Sequence, residues 1–144
     1  MKTTRWLISL STVCTLASLT APAATLHVWQ ESPRPASPFG DWASAAHSIQ
    51  DAVDAARPGD TVRVTNGVYA TGGRAVYLTM TNRVAIDKAI TVLSTDGPAV
   101  TVIVGAEAPG GGAGDGAIRC AYVGDHATLS GFTLTLGATH TNGT

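Results

Sequence analysis

The sequence predicts an all-β chain built as a stack of parallel coils and covered at its front by a single short helix. Three observations carry this. Seven short β-branched or alternating runs follow one another between Thr61 and Leu136. Gly, Asn, Asp and Pro separate these runs, at Asn66-Gly67, Gly72-Gly73, Thr81-Asn82, Asp96-Gly97-Pro98, Pro109 to Gly116 and Gly124-Asp125. Only one stretch, starting at Ser48, has helical periodicity. The composition agrees: 144 residues, 44% hydrophobic but 6% aromatic and 13% charged, with 16 glycines. Ordinary domains carry about a quarter charged residues, so polarity here lies in Thr, Ser, Asn and the backbone, which suits turn-rich extended structure.

In chain order, residues 1 to 23 read as a Sec-type signal peptide, which places the protein in the secreted or outer-surface class. Lys2 and Arg5 form its positive start, Trp6 to Leu19 its apolar stretch, and Ala21-Pro22-Ala23 a small-x-small cleavage site. The apolar stretch falls short of the roughly 20 residues that cross a bilayer. Cys14 lies inside this leader, preceded by Val13 and Ser11 rather than by the small residue and the leucine that lipidation requires. Cleavage after Ala23 leaves Cys120 alone, so the chain holds together by packing and not by an intrachain disulfide.

The chain has 9 basic and 10 acidic residues, and losing Lys2 and Arg5 makes the remainder more acidic still. No basic stripe is left to meet a phosphate backbone, which excludes nucleic acid as a partner.

Residues 24 to 47 form an N-terminal strand and a Pro/Ser-rich loop. Thr25 to Trp29 alternate as a strand does, and Pro33, Pro35, Pro38 and Gly40 then keep the chain out of regular structure. Residues 48 to 144 are the capping helix and the coils. Ser48 can cap the first turn, with Asp51 three residues on. Ile49, Ala52, Val53 and Ala56 share one face, and Gln50, Asp51, Asp54 and Arg57 are expected to face water. Pro58 and Gly59 end the helix after about nine residues, too few to be stable alone. Such a helix must cover something. In a coiled stack the first coil exposes unpaired backbone and the end of its apolar column, which a helix can close. A β-sandwich, the competing architecture, has no need of a leading helix.

The stretch from Trp42 to Tyr69 also resembles a known family. Ser48-Ile49-Gln50, Ala52 to Ala56, Gly59-Asp60-Thr61-Val62, Val64, Gly67 and Tyr69 match the N-terminal cap and first coil of secreted bacterial right-handed parallel β-helix repeat proteins, relatives in fold of pectate lyases. "AITVLSTDGPAVTVIVG" and "ATLSGFTLTLGAT" resemble later coils more loosely, and Leu136 stands where the family often has Asn. The resemblance implies a right-handed parallel β-helix of which this chain is the front, truncated at its C-terminus. It also implies a structural, adhesive or carbohydrate-contacting role, with polysaccharide or cell-surface glycan as partner and self-association through the uncapped last coil. The alternative it implies is a polysaccharide lyase or glycoside hydrolase whose active sheet lies beyond this chain.

The residues themselves offer no catalytic, cofactor or metal site. Arg63 and Arg119 sit at outward strand positions and read as solvated surface arginines. "GGGAGDG", residues 110 to 116, falls one residue short of a calcium nonapeptide and precedes a strand where a dinucleotide loop needs a helix, so it reads as a mobile loop. His27, His47, His126 and His140 lack metal-ligand spacing. Cys120 alternates with Ile118 and Tyr122 on an expected inward face and reads as a small buried apolar residue. Asp54 and Asp60 read as structural, Asp60 accepting local backbone amides after the turn glycine. Asn142-Gly143-Thr144 has the form of a glycosylation sequon but reads as chance.

Overall fold

The computed structural model describes residues 22 to 140; the leader through residue 21, Cys14 within it, and the sequon at Asn142 lie outside the described residues. The described residues form ten strands and one helix: β1 (Thr25–Val28), α1 (Ile49–Ala55), β2 (Thr61–Val64), β3 (Gly67–Tyr69), β4 (Arg74–Tyr77), β5 (Met80–Ile86), β6 (Thr91–Ser94), β7 (Thr101–Val104), β8 (Ile118–Val123), β9 (Thr128–Ser130) and β10 (Thr133–Thr135).

The strands fall into three sheets. The first has the order β1-β2-β6-β9, the second β3-β7-β10, the third β4-β5-β8. From β2 onward the chain visits the first, second and third sheets in turn and returns to the first. Every pairing is parallel except β4 with β5. Register in the first sheet sets Leu26 against Val62, Val62 against Val92 and Val92 against Leu129. In the second sheet Tyr69 lies against Ile103. These side chains, with Val28, Val64, Val84 and Ile86, form one core between the sheets. β1, β2 and β7 alternate because their other face meets solvent, whereas β5 is buried on both faces from Asn82 to Ile86; full burial of each Val or Ile contributes about 1.5–3 kcal/mol.

The helix closes the front of this core with Ile49, Ala52 and Val53, all at most 1% exposed. Ser48 is its N-cap and accepts a hydrogen bond from the Asp51 amide at 3.1 Å. Gly59 takes φ 94° and reverses the chain, as a glycine there allows. The helix is seven residues long, shorter than its pattern suggests, because Ala56 is already extended at ψ 151° ahead of the turn.

One side chain departs from the helical pattern for a clear reason. Gln50, expected to face water, is 3% exposed. Its Oε1 accepts from the Ala85 amide at 2.7 Å and its Nε2 donates to the Ala85 carbonyl at 3.3 Å, so the side-chain amide acts as a strand neighbour for β5. The rest of that edge is covered by β4, whose Arg74 and Ala75 lie antiparallel to Asn82 and Thr81. Helix and hairpin together satisfy the edge of β5 that β8 does not pair. The C-terminal carbonyls of α1 are satisfied from a distance: Lys88 Nζ donates to the oxygens of Val53, Asp54 and Ala56 at 2.7, 2.9 and 2.8 Å. Arg74 adds ion pairs to Asp54 at 3.5 Å and Asp87 at 2.7 Å, tying helix, hairpin and the end of β5 together.

Three expected strand boundaries are corrected. Thr81-Asn82, expected as a break, lies inside β5, where β4 and β8 pair with it on either side. Gly67, expected within the break at Asn66-Gly67, opens β3, because β7 supplies a parallel partner. The final expected run, Phe132 to Leu136, is β10 over Thr133–Thr135, with β9 a separate strand before the Gly131 turn at φ 82°.

Candidate functional site on the outer face of the first sheet

Alternation places two rows of side chains on the outside of the first sheet. One is a row of threonines, Thr25, Thr61, Thr91 and Thr128, each in register with the next. The other runs His27, Arg63, Leu93 and Ser130. Hydroxyls at one strand spacing, ~4.8 Å, give a regular polar surface without a single dominant charge.

The loop after β1 adds an aromatic to this face. Trp42 meets the His27 ring edge-on, with centroids 4.3 Å apart at 69°, and stays 36% exposed. His27 is fixed from the other side, since its Nδ1 lies 3.3 Å from the Phe39 carbonyl, an oxygen that can only accept. Its backbone amide donates to the same carbonyl at 2.8 Å. Asp41, next to Trp42, accepts from the Ser44 amide at 2.8 Å and the Ser44 hydroxyl at 2.9 Å. Those bonds, the amide first, hold its carboxyl below the ordinary value, with the nearby His27 lowering it further. Arg63 is exposed and makes no hydrogen bond or ion pair among the described residues. The face therefore offers an indole, an arginine, a carboxylate and ordered hydroxyls, groups suited to contacting a polyhydroxylated ligand.

Other singled-out residues sit elsewhere. Arg119 is not a free surface arginine: it is half-buried, bonded to Thr139 Oγ1 at 2.8 Å and against Met80 Sδ. Cys120 packs against the core, its Sγ donating to the Thr135 carbonyl at 3.1 Å, whereas its expected inward companion Tyr122 is 37% exposed. Arg83, on the neighbouring strand β5, makes the matching contact to the Val104 carbonyl at 2.7 Å and also reaches Gly72 O at 2.6 Å. Burial lowers its pKa from the usual arginine value.

The glycine-rich excursion is tied down by Gly114 N to Thr139 O at 3.0 Å and by the Asp115–His140 contact. His47 Nε2 donates to the Ser32 carbonyl at 3.0 Å, since that oxygen can only accept. No group of three or more metal-capable side chains gathers among the described residues. Asp54 and Asp60 hold local structure as expected, Asp54 through Gln50 and Arg74, Asp60 through the Arg57 amide at 2.7 Å.

Two hollows flank these elements. One of about 490 Å³ lies at the front, between Ala24, Leu26, Pro38, Ala55 and Arg57. The other, about 580 Å³, opens between β8 and the stretch after β10, beside Arg119 and Thr139. The Trp42–His27 pair was not legible in the sequence, because it depends on a loop folding back over β1. Comparison with family models, curated proteins and solved structures gives no match to this chain.

Proposed function

We propose that this chain is a secreted or cell-surface right-handed parallel β-helix repeat protein whose role is structural, adhesive or carbohydrate-contacting. The observation that carries this reading is the recurring parallel register: Thr61 opposite Thr91 opposite Thr128 in one sheet, and Val68 opposite Val102 opposite Thr133 in another. A stack of this kind presents long, flat, repetitive faces, and the outer face of the first sheet carries the Trp42, His27 and Arg63 group beside the threonine row. Glycan contact is tested by titrating neutral and uronic-acid polysaccharides against the protein by calorimetry. Binding should weaken at least about tenfold in Trp42→Ala and in Arg63→Ala, the loss of about 1.4 kcal/mol. Binding that survives both substitutions, or no binding at all, removes this face from the proposal.

Self-association belongs to the same reading. Leu134 and Leu136 are 50% and 65% exposed beside the outer edge of β10, a surface on which a second copy could add strands. Light scattering should show mass rising with concentration; a constant monomer mass at high concentration excludes it.

A further inference from the structure

Among the described residues, backbone hydrogen bonding begins at one particular position. Ala24 is the first described residue whose backbone is paired on both sides: its carbonyl accepts from the Thr61 amide at 2.9 Å and its nitrogen donates to Asp60 Oδ1 at 2.7 Å. Ala23 and Pro22, just before it, are exposed. Asp60 is only 7% exposed, and its other oxygen accepts from the Arg57 amide at 2.7 Å. Its carboxylate thus receives two amide donors and no cation, since the ion pairs among the described residues involve Asp54, Asp87 and Asp115. A buried carboxylate without a cationic partner is costly to leave so. The bond that the small-x-small pattern marks for cleavage is the one whose nitrogen faces this carboxylate.

We propose that the Ala23–Ala24 peptide bond is the processing site of the leader, and that the α-ammonium group freed there completes an ion pair with Asp60. This rests on the secreted reading. Hydrolysis by a membrane-bound leader peptidase adds one water across the bond. The C–N bond breaks, and the Ala23 carbonyl carbon bonds the water oxygen and leaves with the leader as a carboxylate. The Ala24 nitrogen gains the protons that make it –NH₃⁺, the charged form of an α-amine below its pKa of about 8. One of its three N–H groups replaces the amide donor to Asp60 Oδ1, and the exposure of Ala24 leaves the others to water. Before cleavage the contact is an ordinary amide hydrogen bond; after it, the same two atoms carry opposite charges. Removal of the leader then strengthens the join between β1, which follows Ala24, and β2, which follows Asp60. The first coil is locked once the chain has been exported, and Asp60, just before β2, is placed for this by the Pro58-Gly59 turn.

Two measurements test the two halves separately. N-terminal sequencing and intact mass of the exported protein should give Ala24 as the first residue; any other start overturns the processing site. The purified processed protein is then acetylated at its α-amine near pH 6.5, where that amine reacts ahead of Lys88, the lysine that remains without the leader. Acetylation keeps an N–H donor and removes the charge. The Tm should fall by about 3–6 °C. A form that retains Ala23, whose charge is displaced by one residue, should melt with the acetylated protein. Equal melting of the processed and acetylated forms, or of the processed and Ala23-retaining forms, overturns the ion pair while leaving the processing site standing.

Discussion

Leu136 is a single residue at which backbone and side chain disagree. It adopts φ 54°, the left-handed region that glycine and asparagine enter readily and leucine does not. At 65% exposed, it gains little from burial in return. Leu136→Asn should therefore stabilise the protein by about 1 kcal/mol, read as a higher urea midpoint with an unchanged slope; a loss of stability would mean that the leucine makes contacts of greater worth. Gln50 is the opposite case, a polar residue whose burial is fully compensated. Gln50→Ala leaves the buried Ala85 amide without a partner, and urea unfolding should show a loss of about 2–3 kcal/mol. A change below about 0.5 kcal/mol, the range of ordinary surface substitutions, would contradict the strand-like role of that side chain.

At the scale of the element, α1 is too short to stand alone and is held by groups remote in sequence. Lys88 supplies the cationic C-terminal partner that its own last turn lacks. Arg74 binds it to the end of β5 through Asp54 and Asp87. The Arg74 hydrogen bond, ahead of Coulombic attraction, lowers the Asp87 pKa below its ordinary 3.8. Because the folded-state value is the lower one, the pair's contribution is complete above about pH 4 and is lost as pH falls through the folded pKa. Both side chains are partly solvated, so the effect is small. Arg74→Met should flatten this part of the acid side of the stability–pH curve, measured by thermal melts between about pH 2 and 6. An unchanged acid limb would show that the pair contributes nothing.

The helix itself was legible in the sequence, because Ser48, the Ile49-Ala52-Val53-Ala56 face and Pro58-Gly59 are local signals. So was the inward alternation of Val62, Val64, Val92 and Ile103. Gln50, Lys88 and the β4–β5 hairpin were not. Gln50 occupies a polar position by helical periodicity, and only the unpaired edge of β5, 35 residues on, makes it an inward one. Lys88 is a lone lysine in a turn, with nothing nearby to announce that a helix end lies against it. The hairpin hides because its turn residue Leu78 takes φ 49° without a glycine to mark it. Of the candidate face, Arg63 could be read from alternation in β2, whereas Trp42 and His27 meet only through the fold of the intervening loop.

At the scale of the whole molecule, β1, β2, β6 and β9, β3, β7 and β10, and β5 and β8 pair in parallel, β4 joins β5 antiparallel, and the helix covers the front of the core. The proposed β-helix, its flat glycan-contacting face and the Ala24–Asp60 join all depend on that arrangement. The most direct test is inter-strand NOE spectroscopy on labelled protein in solution. Parallel pairing predicts amide-to-Hα contacts between β2 and β6 near Val62 and Val92, between β6 and β9 near Val92 and Leu129, and between β3 and β7 near Tyr69 and Ile103. Outside the β4–β5 hairpin, close Hα–Hα contacts joining β2 with β3 or β6 with β7, the mark of antiparallel hairpins, would contradict it.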